Sequence, residues 1–123
     1  MPPIDVMPTL LAVAQAEYPK RVGDTGIQLM EGVSLLSAFA GEPVNRVAPL
    51  CFEHHGNLGL RAGRWKIVST YKKNTPRTWE LYDMVADRTE LRDLAAAEPE
   101  RLAELVAEWE SWAERVGVQP WPF

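Results

Sequence analysis

Cysteine is almost missing from this 123-residue chain, with Cys51 the only one. A single thiol excludes an internal disulfide and any multi-cysteine zinc cluster, without fixing the compartment. Concentrated basic charge is missing too. Thirteen Lys and Arg stand against seventeen Asp and Glu, a net charge of -4. Neither nucleic acid nor an anionic membrane is therefore an expected partner, since both call for a basic face. No apolar run is long enough to span a bilayer. The opening MPPIDVMPTLLAVAQ has no positive n-region and carries Asp5 early. It does not read as a secretion signal, which favours a cytoplasmic location. What remains is 46% hydrophobic and 24% charged, an ordinary balance for one soluble domain with one core.

Three segments follow one another. Residues 6–16 form a short helix candidate, with Asp5 placed to accept its orphan N–H groups and Pro8 tolerated in the first turn. A loop holding Gly23, Gly26 and Gly32 leads to Ser34, which caps a second short apolar helix, 35–40, stopped by Gly41. Both helices are more apolar than their lengths warrant, so they are expected to pack under something larger.

The middle segment reads as strands at 47–53, 58–61, 65–71 and 78–83, separated by short turn clusters. Short connections imply antiparallel neighbours, because a parallel return needs a long crossover. Asp87-Arg88-Thr89-Glu90 then has the form of a capping box opening a short helix toward Leu91, Leu94 and Ala95. Glu98-Pro99 starts a longer helix that runs to about Val116 and ends at Gly117. Its Leu102, Leu105, Val106, Trp109, Trp112, Ala113 and Val116 recur every three or four residues, an apolar stripe that needs the sheet as partner. The expected fold is α+β: an antiparallel sheet of three to four strands packed by a C-terminal amphipathic helix, with short N-terminal helices.

Reactive side chains gather in Cys51-Phe52-Glu53-His54-His55. A strand through adjacent histidines would send His54 and His55 to opposite faces, so they could not share a metal. Glu53 and His55 lack a convincing third ligand, and a catalytic zinc needs three. Cys51 as a nucleophile would need an activating base, an orienting group and an oxyanion pocket, none of which the sequence names. Arg61, Arg64 and Lys66 read as a solvated hairpin face. Asp83, Asp87, Glu90 and Asp93 lack the glycine turn and ligand order of a calcium loop. Trp109 and Trp112 read as core, since no basic groove accompanies them. No catalytic residue and no metal ligand is therefore assigned.

Particular motifs carry more. Asp5-Val6-Met7-Pro8-Thr9-Leu10, Gly32-Val33-Ser34-Leu35-Leu36, Glu53-His54-His55-Gly56-Asn57 and Trp79-Glu80-Leu81-Tyr82-Asp83 occur in that order, followed by Trp112 to Trp121. They resemble the C-terminal end of the type I sulfatases, in particular bacterial arylsulfatases of the alkaline-phosphatase-like superfamily. The resemblance implies that residues 1–43 are a helical remnant from the edge of the catalytic domain, and 44–123 the C-terminal subdomain. It also implies what the chain lacks. In that family, sulfate-ester hydrolysis uses a formylglycine made in a C/S-x-P-x-R motif and a divalent cation, usually calcium, both upstream. Cys51 does not lie in such a motif, so this chain is expected to carry no cofactor and to be inactive alone. His54, His55 and Asn57 are expected at the substrate rim of the intact enzyme. The expected partner is the missing catalytic domain, or a second copy through the apolar N-terminal helices as a stand-alone interaction module.

Overall fold

The structure is a computed structural model and describes residues 2–122. The chain divides into two compact units, one up to residue 47 and the other from residue 48.

In the first unit, a 3-10 turn at Pro3–Asp5 runs into helix α1, Val6–Ala14. A two-stranded hairpin follows, β1 at Arg21–Val22 with β2 at Thr25–Gly26, within the segment expected to be a plain loop. Helix α2 is Leu36–Phe39, with Leu35 and not the expected Ser34 at its N-cap and no side-chain capping bond; Ser34 Oγ only accepts the exposed Leu36 N–H at 3.3 Å.

Asp5 does not cap α1, contrary to expectation. Its side chain makes no capping hydrogen bond there. It is almost wholly buried, and Oδ1 accepts the Val33 N–H at 3.0 Å and a hydrogen bond from the Arg46 guanidinium. One turn on, buried Thr9 donates its hydroxyl to the Asp5 carbonyl and accepts the Leu35 N–H at 3.0 Å. Residues four apart lie on one helix face, so Asp5 and Thr9 together hold the 33–35 segment. Burial pushes the Asp5 pKa up, but the hydrogen bonds from Arg46 and Val33 and the Arg46 charge outweigh it, and the net shift is downward. A carboxylate recruited by a distant guanidinium is not available to cap its own helix.

The second unit is a four-stranded antiparallel sheet in sequential order: β3 Leu50–His54, β4 Asn57–Ala62, β5 Trp65–Ser69 and β6 Glu80–Asp83. Helix α3, Pro99–Val116, packs on it and ends at Gly117, whose φ of 74° suits a left-handed stop. Register explains the core. Cys51, Leu60, Ile67 and Leu81 face one another across the four strands, and the last three are fully buried. Leu105, Trp109 and Ala113 of α3 complete the cluster, with Leu102, Val106 and Trp112 packed against it. On the opposite face the next row is Phe52, Gly59, Val68 and Glu80. A Cβ on Gly59 would sit 2.1 Å from the Phe52 ring, so the glycine leaves room for the aromatic to lie across the sheet.

Both sheet edges are occupied. The Trp109 indole N–H donates to the Phe52 carbonyl on edge strand β3 at 3.2 Å. On edge strand β6, the Leu81 N–H donates to Asp93 Oδ1 and the Leu81 carbonyl accepts the Leu94 N–H. Such cover keeps an edge from pairing with another chain.

The expected capping box at 87–90 is not formed. Glu90 takes a positive φ of 58° and its carboxylate pairs with Lys66 at 2.6 Å, so it cannot reach back to Asp87. Asp87 instead accepts the Leu91 and Arg92 N–H groups, closing a loop rather than starting a helix. The Lys66 charge across the sheet competes successfully for Glu90.

Asp83 ends β6 with a forked pair to Arg64 and accepts the Val85 and Ala86 N–H groups. The Arg64 hydrogen bonds lower its pKa from 3.8 to about 2, against the opposing effect of burial. A depressed folded pKa contributes stability that is full above the ordinary carboxylate value and fades as pH falls through the folded value. Acid titration should therefore destabilise this unit between about pH 4 and pH 2, and Asp83→Asn should flatten the dependence in that window. Urea midpoints measured at several pH values check this; an unchanged slope in the variant would contradict it.

Candidate functional site

The reactive cluster of the sequence lies at one end of the sheet. Strand β3 ends at His54 and β4 begins at Asn57, which leaves His55-Gly56 as a two-residue hairpin turn. Both turn residues have positive φ, 51° and 76°, the backbone that matches the twist of a tight hairpin. Histidine is among the few side chains that enter this region with any frequency.

This turn overturns the expectation that His54 and His55 point to opposite faces. Alternation holds only while the chain stays extended, and His55 has left that conformation. The two imidazoles stack instead, with centroids 4.2 Å apart and planes 19° apart. Trp121 of the C-terminal tail adds a third ring, 4.7 Å from His55 and tilted by 15°. The tail packs so closely that a Cβ on Gly56 would lie 3.0 Å from Trp121 Cβ and Cγ. Only glycine fits there without displacing the indole.

Hydrogen bonds fix the turn from four sides. Glu53 accepts the Gly56 N–H at 2.9 Å, and the Gly56 carbonyl accepts from Arg77 at 3.1 Å. Arg77 also donates to Ser69 Oγ at 3.1 Å. Asn57 donates to the His54 carbonyl at 3.1 Å and accepts the Tyr71 N–H at 2.9 Å. The structure thus places His54, His55 and Asn57 together, but Asn57 has spent its carbonyl and one N–H on the backbone.

Beneath the turn lies a cleft of about 440 Å³. Tyr71, Trp79, Trp109 and Trp121 contribute aromatic walls, while Glu53, Arg77 and Glu110 supply charged groups. Ala113 and Val118 extend its apolar surface. Local pattern puts Trp79 in a strand and Trp109 in the core, and connects neither with Trp121. The available signal was the tail itself, Gly117 to Pro122, which is too rich in Gly and Pro to extend α3 and so must turn back.

This set of groups can stack against a ring and hydrogen-bond to it. It is poorly suited to covalent chemistry. Cys51 sits in the packed row opposite Leu60, back along the strand from the histidine turn. No C/S-x-P-x-R occurs in the sequence, and among the described residues no group of three or more His, Cys, Asp or Glu is arranged to hold a metal ion. Also among the described residues, no helix is long and apolar enough to cross a membrane.

No protein-family model matches the chain. An uncharacterized sulfatase of Schizosaccharomyces pombe is 29% identical over 118 residues, which is 94% of this chain. The chain is thus similar to that sulfatase along nearly its whole length. It spans 21% of that relative's length, and the match is consistent with the C-terminal end of a sulfatase. Solved structures share the fold over the same limited extent. A protein solved with its substrate D-glucosamine-2-N,6-O-disulfate superposes with a TM-score of 0.64 at 22% identity, covering 96% of this chain and 25% of its own. A protein of the glycosaminoglycan metabolism of Bacteroides thetaiotaomicron gives 0.64 at 21% identity, with 87% and 24% covered. The crystal structure of Ps i-CgsB gives 0.64 at 21%, with 89% and 23% covered.

Proposed function

We propose that this chain is the C-terminal segment of an arylsulfatase-type sulfuric ester hydrolase, structural within the intact enzyme and not catalytic by itself. The observation that carries this reading is the mismatch of extents. The homology runs through nearly all of the chain and only about a fifth of the relative, and no C/S-x-P-x-R lies within it. Formylglycine and the divalent cation belong, on this reading, to the catalytic domain that the chain's partner supplies.

Within the intact enzyme, His54 and His55 stand at the substrate rim and contact the organic part of the sulfate ester, with Asn57 holding the turn in place. Stacked imidazoles present a flat face and ring N–H or N groups, suited to that contact. The test replaces His54 or His55 by Ala in a full-length sulfatase that carries this segment. KM for an aryl sulfate should rise several-fold while kcat changes less, the pattern of lost substrate binding. Unchanged kinetics would sink the rim assignment.

A second reading is self-association, favoured by apolar exposure in the first unit. Val6, Met7, Leu10 and Val13 of α1 and Phe39 of α2 are all exposed, and helices that are apolar around much of their surface are normally covered. Sedimentation of the chain alone decides between the two covers. A concentration-dependent dimer supports association, and a monomer at high concentration counts against it.

A further inference from the structure

We propose that the cleft beneath the His54–Trp121 stack is a binding site in its own right for a polyhydroxylated ring of pyranose size, with an amine substituent preferred over an acidic one. The volume of about 440 Å³ falls within the range of small-molecule sites. All its lining belongs to the second unit, so the site is complete in this chain.

The lining selects the ligand class. Tyr71, Trp79, Trp109 and Trp121 offer apolar faces for a ring to lie against. A wholly apolar ligand would strip water from Glu53, Glu110 and Arg77 without replacing their hydrogen bonds, which is costly. Hydroxyl groups avoid that cost, since each can donate to a carboxylate and accept from a guanidinium. Charge then decides the substituent. Glu53 and Glu110 outnumber Arg77, giving the cleft a formal net negative charge. Arg77 already donates to Ser69 and the Gly56 carbonyl, whereas Glu110 has no hydrogen-bond or ion-pair partner among the described residues. An ammonium gains both from the carboxylates and from aromatic faces, which attract cations. A carboxylate or sulfate on the same ring would meet two like charges.

This site does not depend on the sulfatase reading, because binding is read on the chain itself rather than on turnover. The experiment titrates the full chain with the methyl glycosides of glucosamine, glucose and glucuronic acid. The indole N–H signals of Trp79, Trp109 and Trp121 report by NMR. The expected result is a shift of those signals, with affinity falling in the order amine, neutral, acid. Glu110→Gln, at an exposed position, should reduce the preference for the amine over the neutral glycoside by about two- to fivefold, the range an exposed charge pair supplies. Trp121→Phe keeps an aromatic wall and should retain the order. No shift with any glycoside, equal affinities, or tighter binding of the acid would overturn the proposal.

Discussion

Trp109→Ala should destabilise the second unit by about 3–5 kcal/mol, the usual cost of truncating a large buried aromatic. Trp109 is 7% exposed and touches three different parts of the unit. It joins the Leu60–Ile67–Leu81 cluster, and its ring lies between Trp79 and Trp112 at centroid distances of 5.7 and 6.0 Å. Its indole N–H also satisfies the Phe52 carbonyl on edge strand β3. Truncation therefore opens a cavity and leaves an edge carbonyl unpaired. Trp109→Phe separates these effects: most packing survives, and the loss should fall nearer the roughly 0.5–1.5 kcal/mol of one hydrogen bond plus a small cavity. Urea unfolding followed by circular dichroism measures both. Equal losses for the two variants would show that ring volume is not what matters at this position.

The first unit has an equally specific weak point. Gly32→Ala should release the 33–35 segment from α1. An added Cβ would lie 1.9 Å from the Ile4 carbonyl oxygen and 2.6 Å from its carbon. Those are backbone atoms, which cannot swing aside as a side chain can. Relief requires the segment to move away, and that costs the Val33 N–H to Asp5 and Leu35 N–H to Thr9 hydrogen bonds. Overpacking of this kind costs about 1–3 kcal/mol, and a buried carboxylate that loses a donor adds about as much again. Hydrogen exchange at the Val33 and Leu35 amides reads the release directly. Both should lose protection in Gly32→Ala, while Gly26→Ala, a change with open space around the new Cβ and no left-handed backbone, should leave them protected. Retained protection in Gly32→Ala would contradict the contact.

These contacts show what the sequence could and could not reveal. Asp5, Thr9, Gly32 and Leu35 stood in two short motifs that pointed to the sulfatases. Their meaning is mutual: the Asp and Thr side chains of one motif accept the backbone N–H groups of the other, and Gly32 makes the approach possible. Spacing along the chain cannot show a contact across 26 or 28 residues, so a local reading assigned Asp5 to the nearest helix terminus. The capping box at 87–90 fails for the same reason, since Glu90 is drawn to Lys66, 24 residues earlier in the chain. The strongly periodic elements were read well. The C-terminal helix came out at Pro99–Val116, and all four expected strands are present with ends shifted by a few residues.

The histidine turn is a subtler case. Strand alternation is sound reasoning, but it depends on where the strand stops. His54-His55-Gly56-Asn57 contains the signal, because a glycine followed by asparagine favours a turn. Once His55 adopts positive φ, the rings that alternation would separate are brought into a stack. The stack gains its third member from a tail more than sixty residues away in the chain, which no local pattern records. The thiol, carboxylate and imidazoles of this stretch are thus close in sequence but divided in role. Cys51 serves the core, Glu53 the turn, and the histidines the ring stack with Trp121.

The most direct measurement is hydrolysis of 4-nitrophenyl sulfate by the purified chain, with calcium present, compared with a full-length sulfatase carrying the same segment. The chain alone should release no 4-nitrophenol above the uncatalysed rate, while the full-length protein turns over. Hydrolysis by the chain alone, abolished by changing Cys51 or His54, would contradict its assignment as a non-catalytic sulfatase segment.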